Sequence, residues 1–220
     1  MRTGAPTLAG MSRLHLFDLD GTLLRGTAAA VEISRQLGLE TEIVELERAF
    51  AAREIDPVRF AQGVHKLWSG LTEEHVDAAF REAPWMDGIA EVWAEIRARG
   101  EHCAVVSLSP DFFVRRLLAW GADAVYGSRF PEVPFRVPVD PAGILSPTAK
   151  VKIAYGLCAK LGVPPDACVA YGDSLSDAEL FAAVPLSVAV NADDHLRGLA
   201  SFDYAGSDLR EVYDLVRYRR

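Results

Sequence analysis

The sequence predicts an α/β fold: a doubly wound, mostly parallel sheet with an all-helical cap inserted after its first strand. Three observations carry that expectation. Several short apolar runs are continuous and not alternating, as in strands covered on both faces: RLHLF at 13–17, HCAVVSL at 102–108, ADAVYG at 122–127, CVAYGD at 168–173 and LSVAV at 186–190. Helical patterns separate these runs from about residue 88 onward. Residues 24–86 break the alternation and read as four helices in succession.

Taken in order, RLHLF runs into Asp18-Leu19-Asp20-Gly21-Thr22, so the first strand ends in two acids and a glycine. TAAAVEISRQLG then stops at Gly38, and TEIVELERAFAAR brings Ile43, Leu46 and Phe50 into phase. Asp56-Pro57 supplies an N-cap and a first-turn proline, after which Phe60, Ala61, Val64, Leu67 and Trp68 form one stripe. Thr72 caps the fourth helix, Glu73 and Glu74 suit its positive end, and Ala83-Pro84 closes it. GIAEVWAEIRARG places Ile89, Val92, Trp93 and Ile96 on one face and stops at Gly100. PDFFVRRLLAWG is expected to open a helix at Pro110 and end it at Gly121. The proline-rich segment 128–147 reads as an irregular flap. The segment 148–161 is expected to align Val151, Ala154, Tyr155, Cys158 and Leu161 on one stripe ahead of Gly162, and FDYA at 202–205 is a last short strand. The chain thus divides into a loose tail at 1–11, a core of 12–23 and 87–220, and a helical cap at 24–86; Met11 is an expected alternative start.

The 220 residues suffice for one domain with an insert. Lys and Arg number 23 against 31 Asp and Glu, a formal charge of −8, which disfavours a grip on a nucleic-acid backbone. No apolar run approaches the ~20 residues of a membrane span, and the first ten residues lack a signal-peptide hydrophobic stretch. Cys103, Cys158 and Cys168 read as small core hydrophobes in a reducing compartment, so a cytoplasmic protein is expected.

Four features carry chemistry. Asp18 and Asp20 stand at the carboxyl end of a buried strand, where open α/β sheets bind ligands. GDSLSD at 172–177 puts Asp173 at another strand end and Asp177 four residues on. So many acids repel one another, and a cation is expected among them. Each acid alone also reads as a turn former or helix cap. Ser107 ends the HCAVVS strand ahead of a helix start, a place suited to an oxyanion, although Ser109 is the better local cap. Lys150 or Lys152 opens a later helix, where a lysine opposes the helix dipole; a solvated face is the bland alternative. The chain has only four lysines, and two are here.

In this order, DxDGT, Ser, Lys and GDxxxD resemble the motifs of the haloacid dehalogenase superfamily, over about residues 13–205. The helical insert and SLSPDFFVRRLL look most like the phosphoserine phosphatase-like branch, which implies a Rossmann-like core. The resemblance further implies a Mg²⁺-dependent phosphatase acting on a small phosphate ester, with no nucleic-acid or membrane partner. Asp18 would be the nucleophile and form an aspartyl phosphate, while Asp20 would act as acid and base. Ser107, Leu108, Thr22 and Lys150 would hold the phosphoryl group. Mg²⁺ would sit on Asp18, the Asp20 carbonyl and Asp173, with Asp177 in support; Lys150 is preferred to Lys152 because the family's lysine opens this helix. Asp20 disfavours dehalogenation, since a halide needs no proton to leave, and it argues against a long-lived phosphoaspartate signal. A strict phosphoserine phosphatase and a phosphotransferase remain the alternatives. In that branch an acid shortly after the first motif pairs with the substrate ammonium; here that position is Thr27, the next acid is Glu32, and His65 and Lys66 stand where a cap arginine is expected. L-phosphoserine is therefore expected not to be the preferred substrate. Arg25, Arg53, Arg59 and Lys66 are the cap's candidate grips on the leaving group.

Overall fold

Strand β1 (Leu14–Phe17) is buried at all four positions, and the reason is visible in the computed structural model, which describes residues 12–219. Leu14 and Leu16 join one apolar cluster and Phe17 the other, so the two-residue period of a strand feeds two cores on opposite faces. The tail at 1–11, including Met11, lies outside the described residues.

Four helices follow β1: α1 (Ala29–Gln36), α2 (Glu40–Ala51), α3 (Pro57–Leu67) and α4 (Glu73–Glu82). Their start signals act as the sequence indicates. Asp56 accepts from the Arg59 amide, and Thr72 forms a reciprocal capping box with His75. The chain enters and leaves this insert side by side: the Arg25 amide donates to the Pro84 carbonyl and the Met86 amide to the Leu23 carbonyl, both at 2.9 Å. The two crossings between core and insert are thus one paired ribbon.

The core continues with α5 (Ile89–Ala98), β2 (His102–Pro110), α6 (Asp111–Val114), β3 (Ala124–Ser128), α7 (Pro147–Leu161), β4 (Cys168–Gly172), α8 (Ala178–Ala183), β5 (Leu186–Val190), α9 (Asp194–Arg197), β6 (Phe202–Tyr204) and α10 (Leu209–Asp214). The six strands are all parallel, in the order β3-β2-β1-β4-β5-β6. β1 sits at the centre, and the strand order reverses beside it, the usual place for a ligand crevice.

Two expectations need correction. Pro110 does not open a helix: it is extended, pairs with Ser128 and ends β2, and after the single turn of α6 the chain tightens into a 3₁₀ helix over Arg115–Trp120. On α7 the buried stripe is Lys150, Ala154, Leu157 and Cys158, spaced i, i+4, i+7 and i+8, while Tyr155, about 100° further round the helix, is 47% exposed.

The flap after β3 is irregular apart from a 3₁₀ turn at Pro141–Gly143. It still packs firmly. Phe130 and Phe135 meet Phe112, Phe130 also meets Trp68 of the cap, and the His65 ring stacks on Phe135 at 4.6 Å. No helix among the described residues is long and apolar enough to cross a membrane. The three cysteines are free and buried.

His15 of β1 is fully buried between the Tyr171 hydroxyl, 2.8 Å from Nδ1, and Glu101, 2.9 Å from Nε2. Burial holds its imidazole below the ordinary value of 6.5, against the pull of Glu101. Above that pH folded and unfolded imidazoles are both neutral, and the full contribution of the buried ring is present. As pH falls below it the unfolded chain takes a proton that folded His15 refuses, and stability is lost at up to about 1.4 kcal/mol per pH unit. Denaturant melts of the wild type and His15→Asn should therefore show a stability gap that narrows between about pH 8 and pH 5.5.

Candidate active site

The carboxyl ends of β1, β2 and β4 and the start of α7 meet at one buried cluster. Asp18 follows β1, and its amide continues the ladder by donating to the Tyr171 carbonyl at 2.9 Å. Its Oδ1 accepts from Lys150 Nζ at 2.7 Å, and the same ammonium donates to Asp177 Oδ1 at 2.6 Å and Ser176 Oγ at 3.3 Å. Lys150 is 1% exposed. It reaches the cluster because it lies on the buried stripe of α7, whereas Lys152 is two positions round the helix and exposed. Of the two, Lys150 is the lysine that stands in the acid cluster.

Asp18, Asp173 and Asp177 each offer an oxygen to a group spanning no more than 4.8 Å. Two glycines allow this crowding. A Cβ on Gly21, whose φ is +74°, would fall inside the Asp173 carboxylate, and one on Gly172 would meet Asp177. Asp177 does not cap α8 with its side chain, and its Oδ2 is buried with no hydrogen-bond partner among the described residues. An orphaned carboxylate oxygen beside two further carboxylates is a hard, all-oxygen donor set that fits a divalent cation such as Mg²⁺.

The charges bear this out. Burial drives the Asp18 carboxyl well above the usual range, with Asp177 adding to the push. The Asp173 carboxyl is pushed up to about 8 by the same two causes. Burial favours loss of the Lys150 proton, yet Asp177 and Asp18 outweigh it and hold the ammonium charged.

Asp20 turns away from Asp18. Its Oδ1 accepts from the Ala29 amide at 2.7 Å, at the start of α1, and its Oδ2 from Ser109 Oγ at 2.6 Å and Ser107 Oγ at 3.4 Å. Burial raises its carboxyl despite these bonds. Ser109 is the residue that sequence reasoning missed. Read only as a helix cap, it lies two residues from Ser107 on one strand, a spacing that puts both hydroxyls on the same face. Leu108, between them, accepts from Ser128 Oγ at 2.6 Å. Thr22 is fully buried, and its hydroxyl has no hydrogen-bond partner among the described residues. Arg25, Arg53, Arg59 and Lys66 are exposed. Glu32 sits closer than its sequence distance suggests: its carboxylate accepts from Thr27 Oγ1 at 2.6 Å and pairs with Arg35.

A family model described as haloacid dehalogenase-like hydrolase matches residues 15–182. The chain belongs to the haloacid dehalogenase-like hydrolases. Within them it lies on the phosphoserine phosphatase-like branch. It is 26% identical over 211 residues to a phosphoserine phosphatase from Idiomarina loihiensis, with 94% of each chain covered. Among solved structures, a substrate-bound phosphoserine phosphatase complex matches with a TM-score of 0.80 and 25% identity, covering 93% of this chain and 98% of the other. A phospho-aspartyl intermediate analogue of phosphoserine phosphatase matches with a TM-score of 0.77 and 26% identity, over 94% of this chain and all of that one. The sheet order and the helical insert after β1 are therefore those of a haloacid dehalogenase-like core with its cap.

The glycine packing leads to a test. Gly172 has an ordinary backbone conformation, so an alanine there adds only its methyl group, 2.7 Å from Asp177 Cβ. Gly172→Ala should keep the circular dichroism of the wild type while displacing Asp177 and Lys150 by about an ångström. A misplacement of that size lowers turnover roughly 100-fold, measurable as kcat on a phosphate ester.

Proposed function

We propose that this chain is a Mg²⁺-dependent phosphatase that hydrolyses a small phosphomonoester through an aspartyl phosphate on Asp18. The observation that carries the reading is the division of labour between two acids two residues apart. Asp18 faces Lys150, and Asp20 faces two serine hydroxyls and a backbone amide.

Asp18 attacks phosphorus in line with the departing alcohol. Lys150, the Ser107 hydroxyl and the Leu108 amide hold the phosphoryl oxygens, and the unpartnered Thr22 hydroxyl is free to join them. Asp20, whose carboxyl burial raises, gives a proton to the leaving alcohol. It then takes a proton from the water that hydrolyses the phosphoaspartate. Asp18, Asp173 and the Asp20 carbonyl would hold Mg²⁺, with Asp177 beside them, and the bound cation supplies charge neutralisation between these acids and a phosphate dianion. The ordinary route from a four-acid cluster to a bound dianion needs both that cation and Lys150.

The relatives named above are phosphoserine phosphatases, and their shared motifs support the phosphatase class. Two features support a leaving group other than serine. Thr27 replaces the expected acid, and the Glu32 carboxylate that reaches it is already paired with Arg35. His65, one of two residues near the expected cap arginine, is stacked on Phe135, with Nε2 3.0 Å from the Val137 carbonyl. The other, Lys66, lines a cleft between α2 and α3 with Glu42 and Glu45.

Phosphate release from a panel of metabolite phosphates should require Mg²⁺, stop with EDTA and resume on adding Mg²⁺. Asp18→Asn should lose at least about 1,000-fold in kcat with its melting temperature retained, because the amide keeps the shape but not the nucleophile. Full turnover in that variant would overturn the assignment.

A further inference from the structure

Ser109 has no part in the steps above, yet it makes the shortest hydrogen bond to the acid that acts in both of them. Its hydroxyl donates to Asp20 Oδ2 at 2.6 Å, whereas the Ser107 hydroxyl stands 3.4 Å from the same oxygen. Both serines are buried. The backbone is shaped to put Ser109 there. β2 does not stop at Ser107 but stays extended to Pro110, with a shift in its pairing to β3 between Val106 and Pro110. Ser128 Oγ fixes the Leu108 carbonyl at 2.6 Å, and Gly127 lies so close that a Cβ on it would meet the Ser109 carbonyl oxygen at 2.7 Å. Serines at i and i+2 of this strand therefore reach one carboxylate oxygen from one face.

The two hydroxyls are not equivalent. Ser107 Oγ accepts from the Ser109 amide at 3.0 Å, and its one hydrogen makes a contact to Asp20 near the limit of a hydrogen bond. A phosphoryl oxygen competes readily for that hydrogen. Were Ser107 the only side chain on Oδ2, phosphate binding would loosen the acid just when its direction matters. Ser109 removes that conflict. The Ala29 amide on Oδ1 can only donate, but a hydroxyl donates to a carboxylate and accepts from a carboxyl, so Ser109 keeps hold of Oδ2 before and after the proton is given. We propose that Ser109 is a positioning residue that holds Asp20 toward the leaving oxygen and so releases Ser107 to the phosphoryl group. This rests on the phosphatase reading above. In the step concerned, Asp18 forms its bond to phosphorus while the bond to the leaving oxygen breaks. The electron pair stays on that oxygen, which takes the proton from Asp20. The poorer the leaving group, the more that proton matters.

The test compares two esters of like shape, phenyl phosphate and p-nitrophenyl phosphate, on the full chain with Mg²⁺. Phenolate leaves poorly without a proton, and p-nitrophenolate leaves readily. The quantity read is kcat/KM, which covers the steps up to departure of the leaving group and not the later hydrolysis of the phosphoaspartate. Ser109→Ala should lose about tenfold more on phenyl phosphate than on p-nitrophenyl phosphate, the usual worth of a hydrogen bond to a charged group. Ser109→Thr, which keeps the hydroxyl, should bring the two losses back toward equality. A folding defect lowers both rates alike and cancels in this comparison. Ser107→Ala should lose equally on both esters, because the phosphoryl group is common to them. Equal losses in Ser109→Ala, a selective loss in Ser107→Ala, or a Ser109→Thr variant as selective as Ser109→Ala would each overturn the proposal. Asp20→Ala reports on the underlying reading and should show a larger selective loss than Ser109→Ala. That loss beside equal losses in Ser109→Ala would overturn the role of Ser109 alone. Equal losses in Asp20→Ala, or no hydrolysis of either ester by the wild type, would overturn the phosphatase reading and the role of Ser109 with it.

Discussion

The site is organised around one buried ammonium. Lys150 bonds Asp18 and Asp177 at once, and without it three carboxylates within 4.8 Å could not share a dry pocket as anions. Much of the local architecture follows from that requirement. α7 must present its first turn to the sheet, so the stripe that carries Ala154, Leu157 and Cys158 into the core begins with Lys150. β1 and β4 must be neighbours so that the residues following them converge, and their parallel register places Phe17 opposite Tyr171, one residue before Asp18 and two before Asp173. The same ring pair is stacked at 4.3 Å, which ties the backbone under Asp18 to the backbone leading to Asp173.

Backbone without side chains is the second condition. The Asp18–Asp20 turn can lie against the Asp173–Asp177 turn because Gly21 and Gly172 put no Cβ between them. At Gly21 the left-handed conformation and the close approach coincide, so the residue is doubly constrained. The loop after β5 adds a further tie, since the Asp193 amide donates to the Asp173 carbonyl at 3.2 Å.

Most of the fold was legible in the sequence, because both of its signals are local. Strands buried on two faces leave continuous apolar runs, and LSVAV at 186–190 coincides with β5. Caps such as Asp56 and Thr72 announce helix starts. The motif acids were legible for a similar reason: carboxylates at strand ends next to glycine have few structural uses in combination. What stayed hidden depended on rotation or long range. Tyr155 is one position away from the buried stripe of α7, too fine a distinction for apolarity alone. Ser109 looked like a helix cap because its partner, Asp20, is 89 residues away. Glu32 looked remote from Thr27 in sequence, yet one turn of helix folds its carboxylate back onto that hydroxyl.

Asp20 joins the two parts of the molecule. Its Oδ2 is held by serines of β2, in the core, and its Oδ1 by the first amide of α1, in the cap. The proposed acid–base group is thus oriented by both bodies at once, and its geometry depends on where the cap stands. The crossings are one short paired ribbon, with Leu24 opposite Trp85. Two contacts hold the insert against the core: the Trp68, Phe112, Phe130 and Phe135 aromatic group, and the Arg116 guanidinium shared by Glu73 and Asp77 of α4. With these contacts made, the Ala29 amide is in place and Asp20 is fixed toward the leaving group. With the cap displaced, that amide is withdrawn while the serine bonds remain, and the carboxyl gains freedom and water. Proton donation to the alcohol and activation of the hydrolytic water are opposite demands on one carboxyl. A clamp with one jaw in the cap allows both to be met in sequence.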